Sequence, residues 1–216
     1  MAIVTNVVGD FRYNTQYLTG DVNRDGYSDL VEVWQDGGVF NSASHLNNGQ
    51  GIFNSVAATT VVGDFRYNTQ YLTGDVNRDG YSDLVEVWQD GGLFKSASHL
   101  NNGQGIFNSV AATTVVGDFR DNTQYLTGDV NRDGYSDLVE VWQDGGLFKS
   151  ASHLNNGQGI FNSVAFTTVV GDFRDNTQYL MGDVNRDGYS DLIEVWQDGG
   201  VFNSASHLNN GQGSFI

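Results

Sequence analysis

Cysteine and proline are absent from all 216 residues. Without Cys there is no disulfide framework, no thiolate metal site and no thiol nucleophile, although this does not decide the compartment. Basic charge is scarce: ten Lys and Arg stand against 26 Asp and Glu, for a formal charge of −16. The basic residues are scattered singly, so no patch exists to neutralise phosphates, and a nucleic-acid partner is disfavoured. No apolar run approaches membrane-spanning length, which argues against membrane insertion. The start MAIVTNVV lacks the basic end and long apolar stretch of a signal peptide, so any export signal is expected to be removed already or never present. What remains is 39% hydrophobic and 12% aromatic with 28 glycines, enough for one sizeable core in a loop-rich fold.

The chain is a tandem array. A 54-residue unit occurs four times, its phase marked by Gly9, Gly63, Gly117 and Gly171, and residues 68–111 are identical to residues 122–165. Composition therefore samples little more than one unit, so the missing Pro and Cys weigh less than in an ordinary chain. Near-identity implies recent duplication or deliberate construction, and the sequence leaves both open.

Each unit contains DVNRDGYSD, at Asp21–Asp29, Asp75–Asp83, Asp129–Asp137 and Asp183–Asp191. Side-chain oxygens fall at positions one, three, five and nine: Asp21, Asn23, Asp25 and Asp29, then Asp75, Asn77, Asp79 and Asp83, Asp129, Asn131, Asp133 and Asp137, and Asp183, Asn185, Asp187 and Asp191. Alternate residues of a tight loop converge on one point, and Gly at position six permits the turn, which describes a calcium loop. The plainer reading is an acidic, Asx-rich turn between strands. An EF-hand or dockerin loop fits the same letters, but both need flanking helices. Here Gly20 precedes the loop, the following residues alternate as a strand, and Glu32 lies roughly 10 Å beyond Asp29 at strand rise.

Strand and turn signals fill the rest of the unit. Residues 16–22 lead into the loop, and residues 29–35 leave it with Leu30, Glu32 and Trp34 on one face and Val31, Val33 and Gln35 on the other. Asp36-Gly37-Gly38 signals a hairpin, residues 39–46 a third strand, Asn47 to Gly51 a turn, and residues 53–62 a fourth strand. Four antiparallel strands per repeat predict an all-β fold, a β-propeller of four-stranded blades with four blades per chain in a single domain. Residues 1–8 align with residues 55–62, so the N-terminal strand is expected to complete the last blade and close the ring.

GDVNRDGYSDLVEVW, followed by a hairpin and LNNGQGIF, resembles the FG-GAP or VCBS repeat of integrin-α-type β-propellers, across all four units. The resemblance implies calcium between the first two strands of each blade, with the carbonyls of Tyr27, Tyr81, Tyr135 and Tyr189 as further ligands. Asn23 stands where an Asp is frequent, one carboxylate fewer per site. Such rings commonly have seven blades, so four per chain means either a four-bladed monomer or a homodimer completing an eight-bladed ring.

Catalysis is not expected. The histidines His45, His99, His153 and His207 occupy one repeat position, and the adjoining Ser44 points to the opposite face of its strand. Binding is the better expectation. Lectins are built on integrin-like propellers, and the resemblance implies sugar pockets, often between blades. Candidate ligand-binding groups are Trp34, Trp88, Trp142 and Trp196 as aromatic plates, with Arg12, Arg66, Arg120 and Arg174, and Asp36, Asp90, Asp144 and Asp198, as polar partners; Tyr17 lies near the same face. Core packing of the Trp side chains, and pairing of Arg12 with Asp10 or Asp36, are the alternatives. The other functional class is a structural or protein-interaction propeller, natural or designed. Calcium at the weak end of the known range suits an extracellular or secreted setting. Covariation between units further suggests blade-junction contacts Lys95–Asp121 and Lys149–Asp175.

Overall fold

The computed structural model describes residues 12, 14–55, 60–64, 66, 68–109, 114–118, 120, 122–172, 174 and 176–216. Among them every regular element is a strand, and none is a helix able to cross a membrane. The first repeat supplies β1 (Gln16–Gly20), β2 (Asp29–Asp36), β3 (Val39–Asn47), β4 (Phe53–Ser55) and β5 (Thr60–Asp64). The second gives β6 (Gln70–Gly74), β7 (Asp83–Asp90), β8 (Leu93–Asn101), β9 (Phe107–Ser109) and β10 (Thr114–Asp118). The third gives β11 (Gln124–Gly128), β12 (Asp137–Asp144), β13 (Leu147–Asn155) and β14 (Phe161–Asp172), and the fourth β15 (Gln178–Gly182), β16 (Asp191–Asp198) and β17 (Val201–His207).

Each repeat forms its own antiparallel sheet, in which the first three strands are neighbours in chain order and the described fourth-strand segments pair with the third. The hairpin between β2 and β3 pairs Asp36 with Val39 across Gly37 and Gly38, both at positive φ (59° and 88°). Two such residues give the turn whose twist matches that of the strands, and glycine takes it without Cβ strain. The expected fourth strand is continuous in blade 3, where β14 pairs with β13 with register shifts at Phe148/Lys149 and Ala151/His153; in blade 1 its described parts, β4 and β5, both pair with β3, and residues 56–59 between them lie outside the described residues. The last sheet has three strands among the described residues, and the predicted closing strand, residues 1–8, lies outside them.

The chain forms two compact units, Met1–Gln89 with Ser96–Thr113 and Asp90–Lys95 with Thr114–Ile216. In the first, Val31, Val33, Phe40 and Val62 of blade 1 pack on Tyr71, Leu84 and Phe107 of blade 2. In the second, Val139, Val141, Phe148 and Val170 of blade 3 pack on Tyr179, Leu192 and Phe215 of blade 4. β2 is buried on both faces: Val31 and Val33 pack on blade 2, while Glu32 and Trp34, equally enclosed, are covered from within blade 1 by Arg12 and His45. Each fully buried Val or Phe contributes on the order of 1.5–3 kcal/mol.

Polar contacts set the junction's register. In the first unit the Gln16 amide donates to Thr69 O (2.9 Å) and accepts from Tyr71 N (3.0 Å), Ser44 Oγ donates to Gly105 O (2.8 Å), and Phe40 meets Tyr71 edge-on at 5.2 Å. The second unit repeats this with Gln124, Tyr179, Ser152, Gly213 and Phe148. Ser44 thus faces the next blade while His45 turns to Glu32 in its own, as strand alternation requires.

Candidate functional site

Strands, not helices, flank every DVNRDGYSD loop, which removes the EF-hand and dockerin alternatives. Within the first loop Asp21 accepts from the amides of Asp25 (3.2 Å) and Gly26 (2.9 Å), Asn23 Oδ1 accepts from Asp25 N (3.0 Å), and Asp25 Oδ1 from Tyr27 N (2.9 Å). The turn needs two left-handed residues: Gly26 at φ 86°, as its type suggests, and Arg24 at φ 60°, which no sequence signal marked. Asp29 sits at the loop's exit, fully buried, accepting from Val22 N (3.0 Å) and Asn47 N (2.8 Å). The same bonds recur at Asp75–Asp83, Asp129–Asp137 and Asp183–Asp191.

Among the described residues no three His, Cys, Asp or Glu side chains are gathered as a metal-holding group. The loop carboxylates are instead turned onto the loop's own amides. The donor set nevertheless has the chemistry of a hard divalent cation: three carboxylates, an amide oxygen and a backbone carbonyl. Its electrostatics agree. Burial pushes the carboxyls of Asp83 and Asp137 up to about 7, against the opposing pull of their amide bonds, and the two other loop carboxylates add to the rise. Asp29 is raised for the same reasons. A positive charge in the loop would relieve that repulsion. Loops also touch their neighbours: Ser82 N donates to Asp21 O (2.8 Å) and Arg24 Nη1 to Asp79 O (3.1 Å), while Ser190 N donates to Asp129 O (2.8 Å).

The Trp and Arg candidates do come together, but as a closed stack. Arg12 lies over the Trp34 ring at 4.1 Å, Arg66 over Trp88 at 4.2 Å, Arg120 over Trp142 at 4.2 Å and Arg174 over Trp196 at 4.3 Å. Trp34 is only 5% exposed. Each guanidinium also donates to a buried carboxylate: Arg12 to Glu32 (2.9 Å), Arg66 to Glu86 (2.7 Å), Arg120 to Glu140 and Arg174 to Glu194 (2.8 Å). The other carboxylate oxygen meets a His Nε2, at 3.4 Å in the Glu32–His45 pair. Arg12 thus pairs with Glu32, and not with the Asp36 suggested by sequence. The hairpin acids stand apart: Asp90 and Asp144 bind Lys95 and Lys149, each at 2.5 Å, and Asp36 and Asp198 are exposed. Asp121 and Asp175, the partners suggested for those lysines, lie outside the described residues. In blade 2, burial and then the Glu86 carboxylate raise the Tyr71 phenol far above its ordinary value.

Two clefts open at the blade junctions. One, of roughly 440 Å³, is lined by Asn14, Thr15, Gln16, Phe40, Arg66 and Asn68; its counterpart, of roughly 360 Å³, by Asn122, Thr123, Gln124, Phe148, Arg174 and Asn176. Of the sequence candidates only Arg66 and Arg174 line them. The Asn, Thr and Gln positions went unnoticed, although N-T-Q at one place in every unit is the signal that marks them.

Blades of consecutive antiparallel strands, stacked through apolar faces, define the class: an all-β β-propeller with four blades per chain. Compared with known protein families and with curated proteins, the chain matches none. Among solved structures it is similar to the crystal structure of rhamnogalacturonan lyase YesW, at 15% identity and a TM-score of 0.47, over 98% of this chain and 46% of that one. The chain thus spans under half the length of that lyase, and a likeness at this level carries no argument about activity. The expectation that this chain is not an enzyme is not carried forward: the solved structure matched is itself that of an enzyme.

Proposed function

We propose that this chain is a calcium-loaded, multivalent carbohydrate-binding propeller of the FG-GAP/VCBS kind. The observation that carries the reading is the junction cleft, present in both units with the same residues. Sugars need several fixed polar groups for hydroxyls and an apolar surface for C–H faces. Here Gln16 is held by Thr69 O and Tyr71 N, Asn68 donates to Gln89 Oε1 (2.7 Å), and Arg66 is clamped between Glu86 and Trp88, so the groups are ordered before any ligand arrives. Phe40 supplies the apolar surface. The Trp rings, covered by arginine, serve the cleft indirectly by fixing that guanidinium. Repeated weak sites on one body raise avidity without new contacts.

In the first loop Asp21, Asn23, Asp25, Asp29 and the carbonyl of Tyr27 would hold calcium, with the matching residues in the other three. The ion would supply a positive charge to a loop that carries three carboxylates and in which burial, then Asp25 and Asp21, raise the Asp29 carboxyl. With Asn23 in place of a carboxylate such a site would bind calcium weakly, which would suit an extracellular setting.

The test is a glycan array probed with the purified chain in calcium and in EDTA. Binding is expected in calcium and reduced in EDTA, and Asn68→Ala with Asn176→Ala should lose it while the fold is kept. A blank array from folded, calcium-loaded protein refutes the glycan reading and turns the search to protein partners.

A further inference from the structure

Near-identical blades allow each position to be compared with its own copies, and two faces break the pattern. The third-strand Phe is buried in the first three blades, Phe40 and Phe94 at 4% and Phe148 at 3%, whereas Phe202 is 77% exposed. Its surroundings follow. Ser44, Ser98 and Ser152 are buried and Ser206 is exposed; Val22, Val76 and Val130 are buried, and Val184 is half-exposed together with Leu180. At the other end, Tyr71, Tyr125 and Tyr179 are each 2% exposed and Tyr17 is 56%. Leu30, Phe53 and Asn47 are likewise more open than Leu84, Phe107 and Asn101.

These two exposed sets are the two halves of the junction that each unit already contains. Phe202 corresponds to Phe40, which packs on Tyr71, and Tyr71 corresponds to Tyr17. Gln178 corresponds to Gln16, which bridges Thr69 O and Tyr71 N, and Ser206 corresponds to Ser44, which donates to Gly105 O. Opposite them, Thr15, Tyr17 and Gly51 hold the places of Thr69, Tyr71 and Gly105. Every group of the junction is therefore present, half on each face.

We propose that a second copy of this chain covers both faces, the Phe202 face of each copy receiving the Tyr17 face of the other. A copy carries one face of each kind, so two copies satisfy all of them and leave no blade face exposed. The pair has eight blades. The new junctions also complete two further clefts, each built from Asn176, Gln178 and Phe202 of one copy with Arg12 and Asn14 of the other.

Sedimentation equilibrium of the full chain in calcium, over about a hundredfold range of concentration, tests this. The expected mass is twice 23.6 kDa. Phe202→Glu and Tyr17→Glu should each halve it while the far-UV circular dichroism is unchanged, since both side chains are exposed in the single chain. Mixing the two variants should return a dimer fraction, because one junction of the mixed pair is unaltered. A single-chain mass throughout, a mass growing beyond two chains, or a Phe202→Glu protein that stays dimeric would each overturn the proposal.

Discussion

Replacing Arg66 by Ala probes a buried charge in the first unit. Glu86 has a side chain 2% exposed and two partners: Arg66 at 2.7 Å, itself one-third exposed, and His99 at 3.3 Å. Removing one partner of a buried ion pair costs about 3–5 kcal/mol, because the remaining charge stays out of water. Water reaches Arg66, so the lower end, about 3 kcal/mol, applies to the ion pair, and uncovering Trp88 adds about 1 kcal/mol. For a chain of this length each kcal/mol moves the melting temperature by about 2–4 °C, so Arg66→Ala should melt about 8–16 °C lower. The informative comparison is a double-mutant cycle with Glu86→Gln. In that background the carboxylate charge is gone, so Arg66→Ala should cost only about 1 kcal/mol, the stacking contribution. Urea unfolding of the four proteins measures both numbers. Equal losses in the two backgrounds would refute the buried-charge reasoning, as would a single variant within about 1 kcal/mol of the parent.

Chelation with EDTA should lower the melting temperature and calcium should restore it, since binding to the native state alone stabilises it by about 2.7 kcal/mol per site at a hundred times Kd; an unchanged melt argues against the loops as structural calcium sites. In EDTA the pH dependence should have a definite sign. Asp83 and Asp137 are raised from 3.8 to about 7 on folding, so between those values the folded chain binds more protons than the unfolded one, and the melting temperature should rise as pH falls from 8 to 6. A fall over that range would show that the loop carboxylates are not strained. Gly105→Ala should be far more damaging than Gly91→Ala in a urea melt. Both are at positive φ, but a Cβ on Gly105 would meet Ser44 at 2.6 Å, while one on Gly91 meets nothing within 4 Å. Comparable losses would mean that the blade junction can yield.

The blade was legible because its punctuation is local. Gly37 and Gly38 fix the hairpin, period-two alternation fixes β2 and β3, and the Asp and Gly spacing fixes the loop. What escaped depends on contacts between segments distant in sequence. Alternation placed Glu32 and Trp34 on one face of the strand but did not show that Arg12 and His45 of the same blade close over that face and pair with Glu32. A Glu with Arg 20 residues before and His 13 after, in every unit, was visible as a pattern but had no geometry to give it meaning. The register shift of β5 on β3 at Phe40/Asn41 is likewise something single-strand periodicity does not encode. For the binding candidates the chemistry of Trp suggested a plate, and only the guanidinium at about 4 Å shows that the plate is already occupied.

Interchangeable junctions have a consequence for how the chain reaches its structure. Gln16 and Gln124 make the same pair of bonds, and Phe40 and Phe148 the same ring contact, so a blade emerging early has no chemical means of telling its proper neighbour from another copy. Order along the polypeptide, and not molecular recognition, must then decide which surfaces meet. Tandem arrays of this kind are prone to domain exchange between molecules while they assemble. Slow or dilute refolding should therefore favour the correct arrangement, and crowding of nascent chains should scramble it.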